Sequence, residues 1–292
     1  MGIVINTNVP SISASRALYK TRSDLEQAME RLSSGKRINS AQDDAAGMSV
    51  VTRMKAQITS LNQAVRNAND GISMISTYDG AADEIEDVLI RMRELATLAQ
   101  NGTYTDADAT NANLEFAALR AEIDRISNKT KFNGSLDISL STATPKTYSF
   151  QVGFNGGDAI AITFGNLEAS ALASGIGASA AAHLTQGIGP GSPGGSAIAN
   201  ASQAVTTLDG MLSNLNLNRA TAGAVINRLE HTVSNLMNVV QRTEEARSQI
   251  EDADFASESA AMARANVLVQ AGSAMLAQAN QTPQFVLALL RG

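Results

Sequence analysis

The sequence predicts a mainly α protein, a long antiparallel helical coiled-coil or bundle rod that carries a small β-hairpin region. Three observations predict it. Apolar residues recur in three–four alternation over most of the 292 residues, the spacing that lays one helix face against another. The apolar content is Ala, Leu, Ile, Val and Met, with aromatics only 4% and no Trp, which suits helix-on-helix packing better than a core of large rings. Between about 136 and 170 the apolar period falls to two, the signature of strands.

Along the N-terminal half, Leu18, Leu25 and Leu32 repeat every seven residues, with Ala14, Thr21 and Ala28 between them. The seam is narrow. Ser40 and Asp43 then resemble a capping box that opens the next helix. That helix carries Met54, Ile58, Leu61, Val65, Ala68, Ile72 and Ile75, slips by two successive steps of three, and continues as Tyr78, Ala82, Ile85, Leu89, Met92, Ala96 and Ala99. Such a stammer locally overwinds a supercoil. A second stripe, Val88, Leu95 and Leu98, runs one position before part of this seam, which gives the helix two neighbours. Gln100-Asn101-Gly102 ends it, with Asn or Gly available for a left-handed cap. Thr105 and Asp108 form a capping-box start for a helix whose apolar face is Ala112, Phe116, Leu119, Ile123 and Ile126.

Tyr148, Phe150, Val152 and Phe154, then Ile160, Ile162 and Phe164, alternate with small or polar residues around Asn155-Gly156-Gly157-Asp158. This reads as a β-hairpin with a Gly-rich turn, and Leu136, Ile138 and Leu140 suggest a short strand joining it. Residues 171–197 are rich in Gly, Ser, Ala and Pro, and read as a flexible linker too poor in large apolar groups to fold alone. The longest seam follows: Ile198, Ala201, Val205, Leu208, Leu212, Leu215, Ala222, Ile226, Leu229, Val233, Leu236, Val240 and Ile250. At about 1.5 Å per residue this helix spans roughly 80 Å, longer than a compact domain of this size allows. Last come Ala261, Leu268 and Met275 at seven-residue spacing, accompanied by Ala265, Ala271 and Ala279. Both end seams bury little apolar surface against the entropy of ordering them, so the ends are expected to order within an assembly.

Composition removes several function classes. With 22 Lys+Arg against 28 Asp+Glu, and both signs scattered, no basic face points to nucleic acid or an anionic membrane. The absence of Cys removes disulfides, thiolate metal sites and a thiol nucleophile. No apolar run reaches the roughly 20 residues of a membrane span, and the opening residues lack the pattern of a secretory signal. His183 and His231 stand alone, and no phosphate-loop or dinucleotide motif occurs. Asp43-Asp44 and Glu251-Asp252-Ala253-Asp254 lack the spacing of a calcium loop and read as helix-start acids. No catalytic, cofactor or metal residue is expected.

Several motifs carry a resemblance. They are Ile5-Asn6-Thr7-Asn8, the run from Glu30-Arg31-Leu32-Ser33-Ser34-Gly35 to Asp43-Asp44-Ala45-Ala46-Gly47, and Arg66-Asn67-Ala68-Asn69-Asp70-Gly71. Arg93-Glu94-Leu95-Ala96, Phe132-Asn133-Gly134, Ile250-Glu251-Asp252-Ala253-Asp254-Phe255 and Leu276-Ala277-Gln278-Ala279-Asn280-Gln281 follow in order. Together they resemble bacterial flagellin over about 1–170 and 198–292. The resemblance implies a structural subunit that polymerises into the extracellular flagellar filament. It implies that the N- and C-terminal helices pair, 1–45 with 248–292, as an inner polymerisation domain. Residues 46–170 and 198–247 would form a helical rod domain, with the linker of 171–197 replacing variable outer domains. Its polymerisation seams would be Leu18, Leu25, Leu32, Leu268 and Met275. Its partners would be its own copies, the flagellar export apparatus and an export chaperone, and the filament cap and hook-junction proteins. Export would proceed without a cleaved signal peptide.

The same resemblance carries Toll-like receptor 5 contacts onto Arg91, Leu95 and Glu115. Arg91 and Leu95 lie four apart on one helix face, and Leu95 belongs to the second stripe. Rival readings are a hook–filament junction protein, which shares the helical termini, and a flagellin-like surface binding protein. An enzyme is the least supported class.

Overall fold

The computed structural model describes residues 7–103, 105–134, 136–137, 146–174, 187–189 and 197–291. Six helices and four strands lie among them: α1 Val9–Ser34, α2 Ala45–Ala99, α3 Asp106–Lys129, β1 Lys131–Phe132, β2 Leu136–Asp137, β3 Lys146–Gln151, β4 Ala159–Phe164, α4 Ala169–Ser174, α5 Ala197–Glu251 and α6 Phe255–Arg291. Contacts divide the chain into two compact units, 1–59 with 240–292, and 60–239. The helices α2 and α5 contribute residues to both.

The first unit is built on α1 and α6. Asn8 starts α1 by accepting the Ser11 amide, Pro10 fits the first turn where an amide is dispensable, and Gly35 ends the helix at φ 69°. The Asn8 side chain donates to the Ala279 carbonyl, and Arg31 pairs with Glu258 at 3.2 Å, so the two helices run antiparallel. The turn after α1 is held by Asp43, whose carboxylate accepts the amides of Asn39 and Ser40 and the Gln27 amide group. Those hydrogen bonds, the Ser40 amide first, hold the Asp43 carboxyl below its ordinary value. The Ser40–Asp43 pair therefore closes a turn, and does not cap a helix. The helix starts at Ala45, with Asp44 accepting the Gly47 amide.

In the second unit α2 and α5 also run antiparallel: Gln100 reaches the Ala201 carbonyl, Arg93 pairs with Asp209, and Arg219 meets Asp79, Asp83 and Glu86. The α2 seam from Ala68 to Ala99 is buried or half-buried at every expected position. On α5, Ala201, Leu208, Leu215, Ala222 and Leu229 are buried as expected, but Ile198 is exposed. Thr105 and Asp108 cap α3 reciprocally. Strands β3 and β4 pair antiparallel with Phe150 opposite Ile160, and Tyr148 opposite Ile162. Their inner residues Ile160, Ile162 and Phe164 enter the core, where Phe164 lies 5.1 Å from the Tyr78 ring. Gly71 lets this hairpin approach α2, since a β-carbon there would sit 3.3 Å from the Phe150 ring.

Three further expectations need correction. Residues 136–137 pair with β1, not with the β3–β4 hairpin, and 138–140 lie outside the described residues. Neither Asn101 nor Gly102 is left-handed: α2 ends as the amides of Gln100 and Asn101 turn back to Thr97 and Leu98. Within 171–197, residues 171–174 complete α4, and Leu172 and Ala173 are buried. Ile188 is also fully buried: Asn113 accepts its amide at 2.9 Å, and Asn200 donates to the next carbonyl. Alternating small residues hid these anchors from a reading based on runs of large apolar groups. His183 lies outside the described residues, and His231 is exposed.

Candidate functional site

The paired chain ends are the feature that the fold singles out. Leu18, Leu25 and Leu32 are half-buried on α1, and Ala28 is buried, so the N-terminal seam faces α6 as its spacing implies. On α6 the seam that answers is Met262, Ala265, Val269, Gly272, Leu276 and Ala279. Leu18 lies over Gly272, where an added β-carbon would stand 3.2 Å from its Cδ1. Leu268 and Met275 do not face α1. They are 51% and 65% exposed, one position away from that seam. Phe255, Val267, Val9, Ile12, Tyr19 and Met29 are exposed as well. Scattered exposed apolar residues need no explanation, but eight large ones on two paired helices leave surface suited to another copy.

A charged knot joins the pair to the ends of α2 and α5. The Glu251 carboxylate, 4% exposed, takes Lys36 Nζ at 2.9 Å, Lys55 Nζ at 2.8 Å and Arg247 at 3.6 Å. Its carbonyl accepts the Arg37 amide, while the Ala253 amide donates to Gly35. Burial pushes the Glu251 carboxyl up, but hydrogen bonds from Lys55 and Lys36 and their charges prevail, and hold it below its ordinary value. Glu251 closes α5 and is no helix-start acid; Asp254 fills that role by accepting the Ala256 amide. Nothing in the spacing of the chain pointed to this knot, because its cations come from residues 36, 55 and 247.

Arg91, Leu95 and Glu115 are brought to one region, but not as one surface. Arg91 pairs with Glu115 of α3 at 2.8 Å and with Glu94 at 3.0 Å, and all three are exposed. Leu95 is buried in the core, 6% exposed. Leu95 belongs to the buried cluster that also holds Phe116 and Ile123 of α3, Val88 packs against that cluster, and only Leu98 of the stripe stays outside. Among the described residues, no group of three or more His, Asp or Glu could hold a metal ion, and no helix is long and apolar enough to cross a membrane.

Paired helical ends with eight large apolar residues left outward suit a structural protein of the self-associating kind. The comparisons agree. Residues 5–136 match the bacterial flagellin N-terminal helical region, and residues 205–290 match the C-terminal helical region. The chain is 42% identical over 289 residues to a flagellin of Halalkalibacterium halodurans, covering 99% of this chain and 100% of that one. It is 40% identical over 304 residues to a flagellin of Bacillus subtilis, covering 98% and 99%. Its fold is similar to a solved structure from Vibrio parahaemolyticus described as a flagellar hook-associated protein, with TM-score 0.57 and 14% identity over 72% of this chain and all of that one. The chain belongs to the bacterial flagellin family, and its function is that of a structural subunit of the extracellular flagellar filament.

Proposed function

We propose that residues 1–45 and 248–292 form the inner, polymerisation domain of the filament, and that 46–170 and 198–247 form the rod domain. The observation that carries this is the outward face of α6, where Leu268 and Met275 stand exposed beside a seam in which Ala and Gly alternate with Met262, Val269 and Leu276. A helix pair with so thin an internal interface gains further burial only from neighbours. The division into units 1–59 with 240–292, and 60–239, supports the assignment, with boundaries displaced from the ends. In this reading Leu18, Leu25 and Leu32 set the pair, while Leu268 and Met275 meet other copies. Electron microscopy after seeding tests it. The full chain forms helical filaments and Leu268→Asp does not; normal filaments from the variant would reject the assignment.

The same outward residues of α6 support capture by an export chaperone before passage through the flagellar export apparatus, and later contact with cap and hook-junction proteins. The family's structural role supports a chain without catalysis. For Toll-like receptor 5, the accessible pair Arg91 and Glu115 supports a contact in which Leu95 acts only from beneath, by fixing α2 against α3. A reporter assay on monomeric protein checks it, with Arg91→Ala and Glu115→Ala expected to lower the response. Equal responses from all three proteins would reject the contact.

A further inference from the structure

Three Asn-Gly pairs lie in exposed turns: Asn101-Gly102, Asn133-Gly134 and Asn155-Gly156. In each the following amide lacks the shield of a β-carbon, so it can approach the asparagine side chain. Their surroundings differ. Asn133 and Gly134 sit at φ 52° and 71°, a left-handed pair that closes the β1–β2 turn. Asn155 is held by its hairpin: its amide donates to the Asp158 carboxylate, and its carbonyl accepts both the Asp158 amide and the Gln151 side chain. Asn101 lies just past the end of α2, and its Oδ1 accepts the Thr103 amide at 3.3 Å. That donor polarises the side-chain carbonyl and stands where negative charge develops when Cγ is attacked, the part an oxyanion-hole donor plays.

We propose that Asn101 is a site of spontaneous conversion to aspartate and isoaspartate, ahead of Asn133 and Asn155. The Gly102 amide gives its proton to solvent base, and its nitrogen bonds to Asn101 Cγ. The Cγ–Nδ2 bond then breaks, ammonia takes up the proton and leaves, and a five-membered imide remains. Water opens the imide at either carbonyl, so the product is aspartate or a main chain routed through the former side chain. Either product adds one negative charge to a surface concavity that Asn101 shares with Ile90, Arg93, Glu94 and Leu98. Isoaspartate also lengthens the connection between α2 and α3 by one methylene. An exposed face of the subunit therefore becomes more acidic with age.

The test is to hold the full chain in warm, mildly alkaline buffer and follow each site by peptide mass mapping and isoaspartyl methyl-transfer labelling. In the native protein Asn101 converts about fivefold faster than either other site, and in denaturant the three rates agree within about twofold. Gly102→Ala slows Asn101 by about tenfold, through the added β-carbon. Thr103→Pro removes the donor N–H, while also restricting the Gly102 backbone, and slows the site several-fold. Earlier conversion at Asn133 or Asn155, native rates that match the denatured ones, or an unchanged rate in Thr103→Pro would each overturn the proposal.

Discussion

Replacing Glu251 by Gln removes the one carboxylate on which Lys36, Lys55 and Arg247 converge. Glutamine keeps the volume, but offers one accepting oxygen and turns two N–H donors toward ammonium groups. Hydrogen bonds to a charged group contribute about 1.5–3 kcal/mol each, and breaking one side of a buried pair costs about 3–5 kcal/mol. The Lys36 and Lys55 side chains are 44% and 43% exposed, so their ammonium groups rehydrate and the loss falls toward the lower end. The expected destabilisation is about 3 kcal/mol, a large part of a typical total. The pH dependence has a definite sign. The folded carboxyl lies below its ordinary value of 4.5, so its contribution is complete above that value and fades as pH falls through the folded pKa. Wild-type stability should therefore drop more steeply than that of Glu251→Gln as pH falls below about 4.5. Urea unfolding of the full chain at stepped pH, with amide exchange followed in α1 and α6, measures both effects. An unchanged midpoint at neutral pH, or equal acid slopes, would refute the reasoning.

Ile188→Ala empties a fully buried position, and should lower stability by about 3 kcal/mol in denaturant unfolding; a deletion of 174–196 loses the same anchor and carries a similar cost. Tyr78→Phe removes a hydroxyl that is buried without a hydrogen-bond partner among the described residues, so thermal unfolding should show a gain of about 1 kcal/mol. Met275→Asp should leave the monomer within about 0.5 kcal/mol of wild type and block seeded filament growth, because the side chain is exposed in the free chain. Gly272→Leu should do the reverse of a surface change, loosening α1 from α6 in amide exchange by driving a branched side chain into Leu18.

What the sequence made legible follows from the size of the side chains that face inward. Along α2 the inward positions are Ile75, Tyr78, Ile85, Leu89 and Met92, all fully buried, so a pattern of large apolar groups marks the right face. The β3–β4 hairpin was legible for the same reason, with Ile160, Ile162 and Phe164 alternating inward. On α6 size does not mark the face. Met262, Ala265, Val269, Gly272, Leu276 and Ala279 face α1, while Val267, Leu268 and Met275 look outward, so a seam drawn through Leu268 and Met275 lands one position off. Leu95 is buried, as a stripe with a neighbour of its own implies, and so does not offer the exposed contact that its place beside Arg91 suggested. Periodicity reports that a face is apolar, but the residue that covers it decides between core and surface, and one sequence does not name it.

The same offset separates two faces of α6 at the chain ends. Gly272 beneath Leu18 lets the two helices approach. The large residues on the outer face, Leu268 and Met275, stand exposed and off the α1–α6 seam. In the proposed reading, burial between copies would account for Leu268 at 51% and Met275 at 65% exposure. Leu25→Asp and Leu268→Asp then separate two interfaces that the sequence alone had merged. The first should weaken the α1–α6 pair in the free chain, seen as faster amide exchange in both helices. The second should leave that exchange unchanged and stop filament growth. If both variants slowed assembly while leaving monomer exchange untouched, α1 would face neighbouring copies as α6 does, and the division between an inner seam and an outer face would fall.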